Sequence, residues 1–294
     1  MNLAAVIQSM RVPFLLLTPV CVFLGASTVA TSETNTSLLL LVLLGALLAH
    51  ISVNALNEYS DFKSGLDLAT TRTPFSGGSG ALPENPEMSS AVFIVGAVSL
   101  IATLIIGGFF IWKFGTGILP IGIAGLILIV TYTDWINRYP LLCLIAPGIG
   151  FGFLMVVGTQ YVLQGEYVPL SVLVAVIPFF LVNNLLLLNQ YPDIVADASV
   201  GRNHFPIAYG VSRSNLAYAL FALATTAIII SYVLLGYLPA ISFIALLPMP
   251  LAFFALYGAI KYRENIGRYP HYLGANVGVA ILAPLLLGLS IIIG

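Results

Sequence analysis

The chain alternates between long apolar runs and short polar breaks, and the runs are continuous rather than alternating at period two. Such runs are helical, and about 20 apolar residues are needed for one helix to cross a bilayer core. The pattern predicts nine membrane-spanning helices at 12–30, 37–59, 89–112, 117–133, 140–163, 168–192, 213–236, 238–260 and 271–293. The expected fold is therefore all-α: one polytopic membrane domain over residues 1–294, with the helices bundled around a central cavity. The break at 236–240 is the tightest, with Gly236 and Pro239 making the turn.

Two breaks are unlike the rest. From Glu58 to Arg72 the chain concentrates Glu58, Asp61, Lys63, Asp67 and Arg72, although only 7% of its residues are charged and 60% are hydrophobic. Shifting the sequence by 132 positions lays Asn57-Glu58-Tyr59-Ser60-Asp61 over Asn189-Gln190-Tyr191-Pro192-Asp193. An N-x-Y-x-D pattern thus closes two apolar runs, and each time a long polar connection follows. Long connections in a compact helical protein usually carry function.

Both motifs continue polar stripes. His50, Asn54, Asn57 and Asp61 fall on one helical face, and Asn183, Gln190, Asp193 and Asp197 form a comparable set on the sixth predicted helix. Ionisable groups at membrane depth cost roughly 2.5–3.5 kcal/mol each and normally face a cavity. Here the acids stand near helix ends, which implies a chamber opening to one side.

That side follows from the basic residues. Arg11, Lys63, Arg72, Arg138, Arg202, Arg213, Lys261, Arg263 and Arg268 fall on the motif-bearing side, against Lys113 alone on the other. Discounting Arg11, Lys63, Arg72 and Arg202 as possible ligand groups still leaves five against one. The positive-inside rule makes the motif face cytoplasmic, and the expected location is the cell (plasma) membrane. A net charge of -1 gives no footprint for nucleic acid. Cys21 and Cys143 lie inside predicted spans, which argues against a disulfide framework or a cysteine metal site. The first run begins after Arg11 and is long enough to stay as a span instead of being cleaved as a signal.

Carboxylates and amide oxygens are hard ligands suited to Mg2+, which is usually held by one or two carboxylates together with substrate phosphates. Asn57 and Asp61, Asn189 and Asp193, and Asp193 and Asp197 are all spaced i, i+4, so each pair can project to one side. Asp67 cannot share the face of Asp61 on a continuous helix, but a break at Ser64-Gly65 could return it. Lys63, Arg72 and Arg202 stand beside the acids as candidate partners for phosphate oxygens, and Gly77-Gly78-Ser79-Gly80 offers either backbone amides for an anion or a hinge. Solvated loop charges and a cation path are the alternatives.

These residues resemble the UbiA-type membrane prenyltransferases. The family's first motif, Asn-Asp-x-x-Asp with a further Asp, is similar to Asn57-Glu58-Tyr59-Ser60-Asp61 with Asp67, and its second, Asp-x-x-x-Asp, to Asp193-Ile194-Val195-Ala196-Asp197. Arg11-Val12-Pro13-Phe14 with Pro19 resembles the family's first helix, and Tyr132-Thr133 its Tyr-Thr after the fourth. The six-residue step from Asp61 to Asp67 looks most like the branch that prenylates 1,4-dihydroxy-2-naphthoate in menaquinone synthesis, and the segment 191–202 is similar to that branch and its near relatives. The resemblance implies Mg2+ held by Asn57, Asp61, Asp67, Asp193 and Asp197. It implies a polyprenyl diphosphate bound by Arg11, Lys63, Arg72 and Arg202, and catalytic roles for Asp61, Asp193 and Tyr132. The implied partners are that diphosphate, an aromatic acceptor and membrane lipid. Three features depart from the family's pattern: Glu58 replaces an Asp and is left out of the metal set, Arg202-Asn203-His204 stands where Lys-Arg-Thr is common, and the segment 133–138 lacks a Pro-Pro pair. Other acceptors of the family, namely hydroxybenzoate, a tetrapyrrole or a glycerol phosphate, remain open. So does a secondary transporter, although both motifs lie on one side and near a surface, unlike the midplane sites of inverted repeats.

Overall fold

The computed structural model describes residues 2–294, and the described residues form helices and turns with no strand. Seven helices are long and apolar enough to cross a membrane. The pair Leu3–Ser9 and Val12–Ser27 is apolar enough to make an eighth when counted as one span, and it is bent by 47° where Arg11 takes the left-handed conformation. The fourth predicted span is present as a shorter apolar helix, Thr116–Thr131. Among the described residues the count by length and composition is thus seven or, with the bent pair, eight, against the nine spans expected.

The first motif ends the helix Thr36–Lys63. Asn35 starts it, its side chain accepting a hydrogen bond from Leu38 N–H at 3.1 Å. Its 28 residues span about 42 Å at 1.5 Å per residue, well beyond a hydrocarbon core of about 30 Å. Asn57 and Asp61 consequently project past the apolar layer while staying on a rigid helix. Ser64 and Gly65 stop it: Gly65 has φ of 80°, and a short helix, Leu66–Ala69, then carries Asp67 back toward the bundle. The helix lies along Ser89–Phe114.

The second motif does not sit on one continuous helix, as the polar stripe at 183–197 suggested. The helix Pro169–Asn189 ends before it, and Gln190 to Asp193 form a turn. Pro192 has no N–H to continue the ladder and disfavours helical backbone at Tyr191. Tyr191, fully buried, anchors the turn by donating from its hydroxyl to Asn215 Oδ1 at 2.8 Å. Asp193 then precedes a new short helix, Ile194–Ser199, in which Asp197 N–H donates to Asp193 O at 2.8 Å. Within this turn the Asp193 to Asp197 spacing keeps its helical geometry.

Buried polar contacts position the second-motif helix where apolar packing alone has little preference for one arrangement in lipid. Asn184 donates to Tyr218 O at 2.9 Å, Tyr218 donates to Asn276 Oδ1 at 2.7 Å, and Asn276 donates to Asn184 O at 3.0 Å. That ring ties Pro169–Asn189 to Phe205–Leu234 and Pro270–Ile293. On its other side the helix meets Pro140–Gln164 at close range: a Cβ on Gly152 would stand 2.6 Å from Ala175 O. Pro147 and a wide π-helical stretch, Ile149–Val157, loosen that neighbouring helix, and Gly148 N–H is satisfied across the interface by Asn183 Oδ1 at 2.6 Å.

Candidate active site

A cavity of about 540 Å3 runs through the bundle. Val42, Gly45, Ala49, Val53, Asn57 and Asp61 of the first-motif helix all line it. Val42 and Asp61 are nineteen positions apart, so the cavity follows the helix for about 28 Å. Its motif end is polar, with Arg11, Asn57, Asp61, Asp67, Asn189, Asp193, Asp197 and Arg202 on the wall; its far end is apolar, with Ile106, Phe110, Ile118, Ile121 and Leu154.

Arg202 joins the two motifs. One of its terminal nitrogens pairs with Asp61 Oδ1 and the other with Asp197 Oδ1 at 2.8 Å, in a setting where the Arg202 side chain is only 15% exposed. His204 Nε2 holds the second oxygen of Asp197 at 2.9 Å. Asp193 receives Gly77 N–H at Oδ2, 2.9 Å away, from the connection that follows the first motif. Asn57 donates to Thr133 Oγ1 at 3.2 Å and Ser60 to Asp134 Oδ1 at 2.8 Å, so the segment carrying Tyr132 is fastened to the same helix. Tyr132 lies on the cavity wall.

Not every expected residue reaches the cavity. Lys63 is exposed, with its ammonium 5.5 Å from the Tyr59 ring centroid. Arg72 is also exposed and is held by Glu84 at 3.0 Å and by Ser79 O at 3.0 Å. Neither lines the cavity wall; Arg72 instead faces a smaller pocket beside it, together with Arg11, Phe14, Phe75 and Gly78. Arg11 does line the cavity, with its Nε 3.7 Å from Glu58 Oε2. The sequence paired Asn189 with Asp193 but left it out of the expected metal set, and it gave His204 no role in the site. The only signal for His204 was its place two residues after Arg202, and that for Asn189 was its repeat of Asn57.

The acids divide by environment. Burial, reinforced by the Glu58 and Asp61 carboxylates, pushes Asp67 up to about 8. Burial and the neighbouring Asp197 push Asp193 up to about 7. Asp197 pays the same desolvation but is held below the usual carboxylate range by the His204 hydrogen bond and Arg202. Raised carboxyls stabilise the fold while protonated, and that contribution is lost as pH rises through their folded values. The ligand-free protein is therefore expected to lose thermal stability as the pH is raised from about 4 to about 8, the interval between the usual carboxylate range and the raised values of Asp67 and Asp193. Asp67→Asn should flatten that slope, and a melting curve in detergent with the same slope in the variant would refute the assignment.

The oxygen set suits a hard cation. Asp67 Oδ2, Asp193 Oδ1 and Asn189 Oδ1 are buried without a hydrogen-bond partner, and orphaned acceptors of this kind are expensive unless something binds them. Among the described residues no three His, Cys, Asp or Glu side chains already converge as a metal cage. Carboxylate and amide oxygens of this kind, completed by water and substrate phosphates, are the donors that Mg2+ takes.

A helical bundle with an acid-lined mouth leading into a membrane-deep apolar cavity is built to hold an amphiphile with a polar, anionic head and a long apolar tail. The chain belongs to the UbiA prenyltransferase family, whose model matches residues 17–273. It is accordingly a membrane prenyltransferase. Its fold is similar to that of a UbiA homologue from Archaeoglobus fulgidus bound to DMAPP and Mg2+, with a TM-score of 0.72 and 15% identity over 98% of each chain. It is also similar to a structure described as digeranylgeranylglyceryl phosphate synthase, with a TM-score of 0.67 and 16% identity over 99% of each chain. A ligand-free UbiA homologue from Aeropyrum pernix K1 aligns with a TM-score of 0.63 and 17% identity over 96% of this chain and 98% of that one. None of the curated proteins matches this sequence significantly.

Proposed function

We propose that this protein, as one domain over residues 1–294, transfers a polyprenyl group from its diphosphate to 1,4-dihydroxy-2-naphthoate in menaquinone biosynthesis. The site faces the cytoplasm at the plasma membrane. The observation that carries the donor class is the junction of Asp61 and Asp197 around Arg202 at the mouth of an apolar cavity about 28 Å deep. The acceptor rests on the resemblance around Asp67, and the orientation on the nine-to-one distribution of basic residues.

Asn57, Asp61, Asp67, Asp193 and Asp197 would hold Mg2+, and Asn189 joins them as a donor with an unpartnered oxygen. When bound, Mg2+ neutralises charge that accumulates on the departing diphosphate. That the Archaeoglobus relative is described with DMAPP and Mg2+ supports this reading. Arg202 and Arg11 face the same volume and bind phosphate oxygens, while the isoprenoid tail lies along Gly45, Ala49 and Val53. The allylic C–O bond breaks with its electron pair leaving on the diphosphate. The Tyr132 ring stabilises the allylic cation through its face, and the apolar wall excludes water that would otherwise capture it. An electron-rich ring carbon of the acceptor then forms the new C–C bond to the allylic carbon, and the proton that this ring carbon carried passes to a carboxylate of the site, which restores the aromatic ring.

The test is prenyl transfer by the purified protein from labelled geranylgeranyl diphosphate, with 1,4-dihydroxy-2-naphthoate, 4-hydroxybenzoate or a glycerol phosphate offered in parallel. Product from the naphthoate alone, abolished by EDTA and restored by Mg2+, is the expected result. Product from a different acceptor would overturn the naphthoate assignment and keep the donor chemistry. Flux of ions into liposomes without any transfer would favour a transporter.

A further inference from the structure

Glu58 stands next to Asn57 on the first-motif helix, so its side chain leaves about 100° around the axis from the one that faces the cavity. It is 1% exposed and its carboxylate is turned toward the connection that follows the motif. Ser79 N–H donates to both oxygens, at 3.0 and 3.1 Å, and the Ser79 hydroxyl donates to Oε1. The same hydroxyl oxygen accepts Ala81 N–H at 3.1 Å.

What Glu58 grips is the stretch that crosses both motifs. Two residues before Ser79, Gly77 N–H donates to Asp193 Oδ2 at 2.9 Å. Between them Gly78 lies directly against Asp67, where an added Cβ would stand 2.5 Å from Oδ1. Gly77 and Gly78 have φ of 77° and 73°, a backbone that side chains resist, and this lets the main chain pass so close to the acids. Three consecutive residues thus touch Asp193, Asp67 and Glu58. An Asp at position 58 would be one methylene, about 1.5 Å, too short for this contact.

We propose that Glu58 is a positioning residue that clamps residues 77–79 across the two acid motifs, holding Gly77 N–H on Asp193 and the Gly78 backbone on Asp67 before the donor arrives. The consequence for the reaction rests on the function proposed above; the clamp itself is a property of the ligand-free protein.

Length and charge separate this role from metal binding. A ligand carboxylate is better replaced by Asp than by Gln, whereas the clamp is better replaced by Gln, which keeps the reach and one acceptor oxygen for Ser79. The experiment is hydrogen exchange of peptides covering 76–81 in the full-length ligand-free protein in detergent, paired with the KM for the prenyl diphosphate and the Mg2+ midpoint of activity. In Glu58→Asp the exchange should accelerate about 10- to 100-fold, the loss of a hydrogen bond to a charged group. The donor KM should rise about 10-fold with kcat less affected, and Glu58→Gln should recover most of both. Unchanged exchange in both variants would overturn the clamp. So would a Mg2+ midpoint that shifts in Glu58→Gln and not in Glu58→Asp, the pattern of a metal ligand. Should both variants misfold, Ser79→Ala, which removes one bond from the opposite side, must still accelerate exchange at Gly77. Absence of prenyl transfer by the wild type would refute the proposed function but leave the exchange result to be read by itself.

Discussion

Asp61→Ala and Asp193→Ala are each expected to lower kcat/KM for prenyl transfer by about 10³-fold, which corresponds to about 4 kcal/mol of transition-state stabilisation. Losing one preorganised group that faces developing charge costs about 10²- to 10³-fold, and these residues also hold their surroundings in place. Asp61 is one of the two carboxylates on Arg202, so its loss leaves the guanidinium free to swing toward Asp197 alone. Asp193 holds the Gly77 amide, so its loss also releases the connection above the cavity. Because the two acids serve one head group, the double variant should fall little below either single one. Steady-state kinetics on the three variants provide the check. Either single variant retaining a tenth of the activity would exclude its acid from the machinery.

Arg202→Ala is expected to destabilise the ligand-free protein by about 3–5 kcal/mol, because it leaves the two buried carboxylates without their shared cation. For a chain of this size that is a fall in Tm on the order of 10 °C. Arg202→Lys should recover only part of it, since a single ammonium cannot reproduce a guanidinium fork that serves two partners. Mg2+ with inorganic diphosphate should raise the Tm of the alanine variant more than that of the wild type, because bound cations then replace the missing charge. A Tm unaffected by the substitution would show that Arg202 does not hold the two motifs together.

Much of the site was legible because its signals are local. The expectation that Asn57 and Asp61 share one face near a helix end needed only helical spacing, and the helix Thr36–Lys63 carries both at its end, a turn beyond the span expected at 37–59. Gly65 announced the break that brings Asp67 back, since it adopts a φ of 80° without strain. The repeated N-x-Y-x-D pattern was equally local, although Pro192 turns its second copy into a loop where a continuous helix was expected.

Other features depended on partners far along the chain. Nothing near Lys63 or Arg72 states whether a long basic side chain will meet a phosphate site or a closer partner; Glu84, twelve residues on, takes Arg72. Arg202 finds Asp61 across 141 residues, and Glu58 finds Ser79 across 21. Apolar periodicity and the spacing of the acids were thus determined by the sequence alone, because helix geometry repeats at short range. Which charges converge on the cavity, and which are spent on the loops around it, was decided only by the tertiary structure. A flexible side chain is oriented by the strongest complementary group within reach, and it is the packing of distant helices that puts that group there.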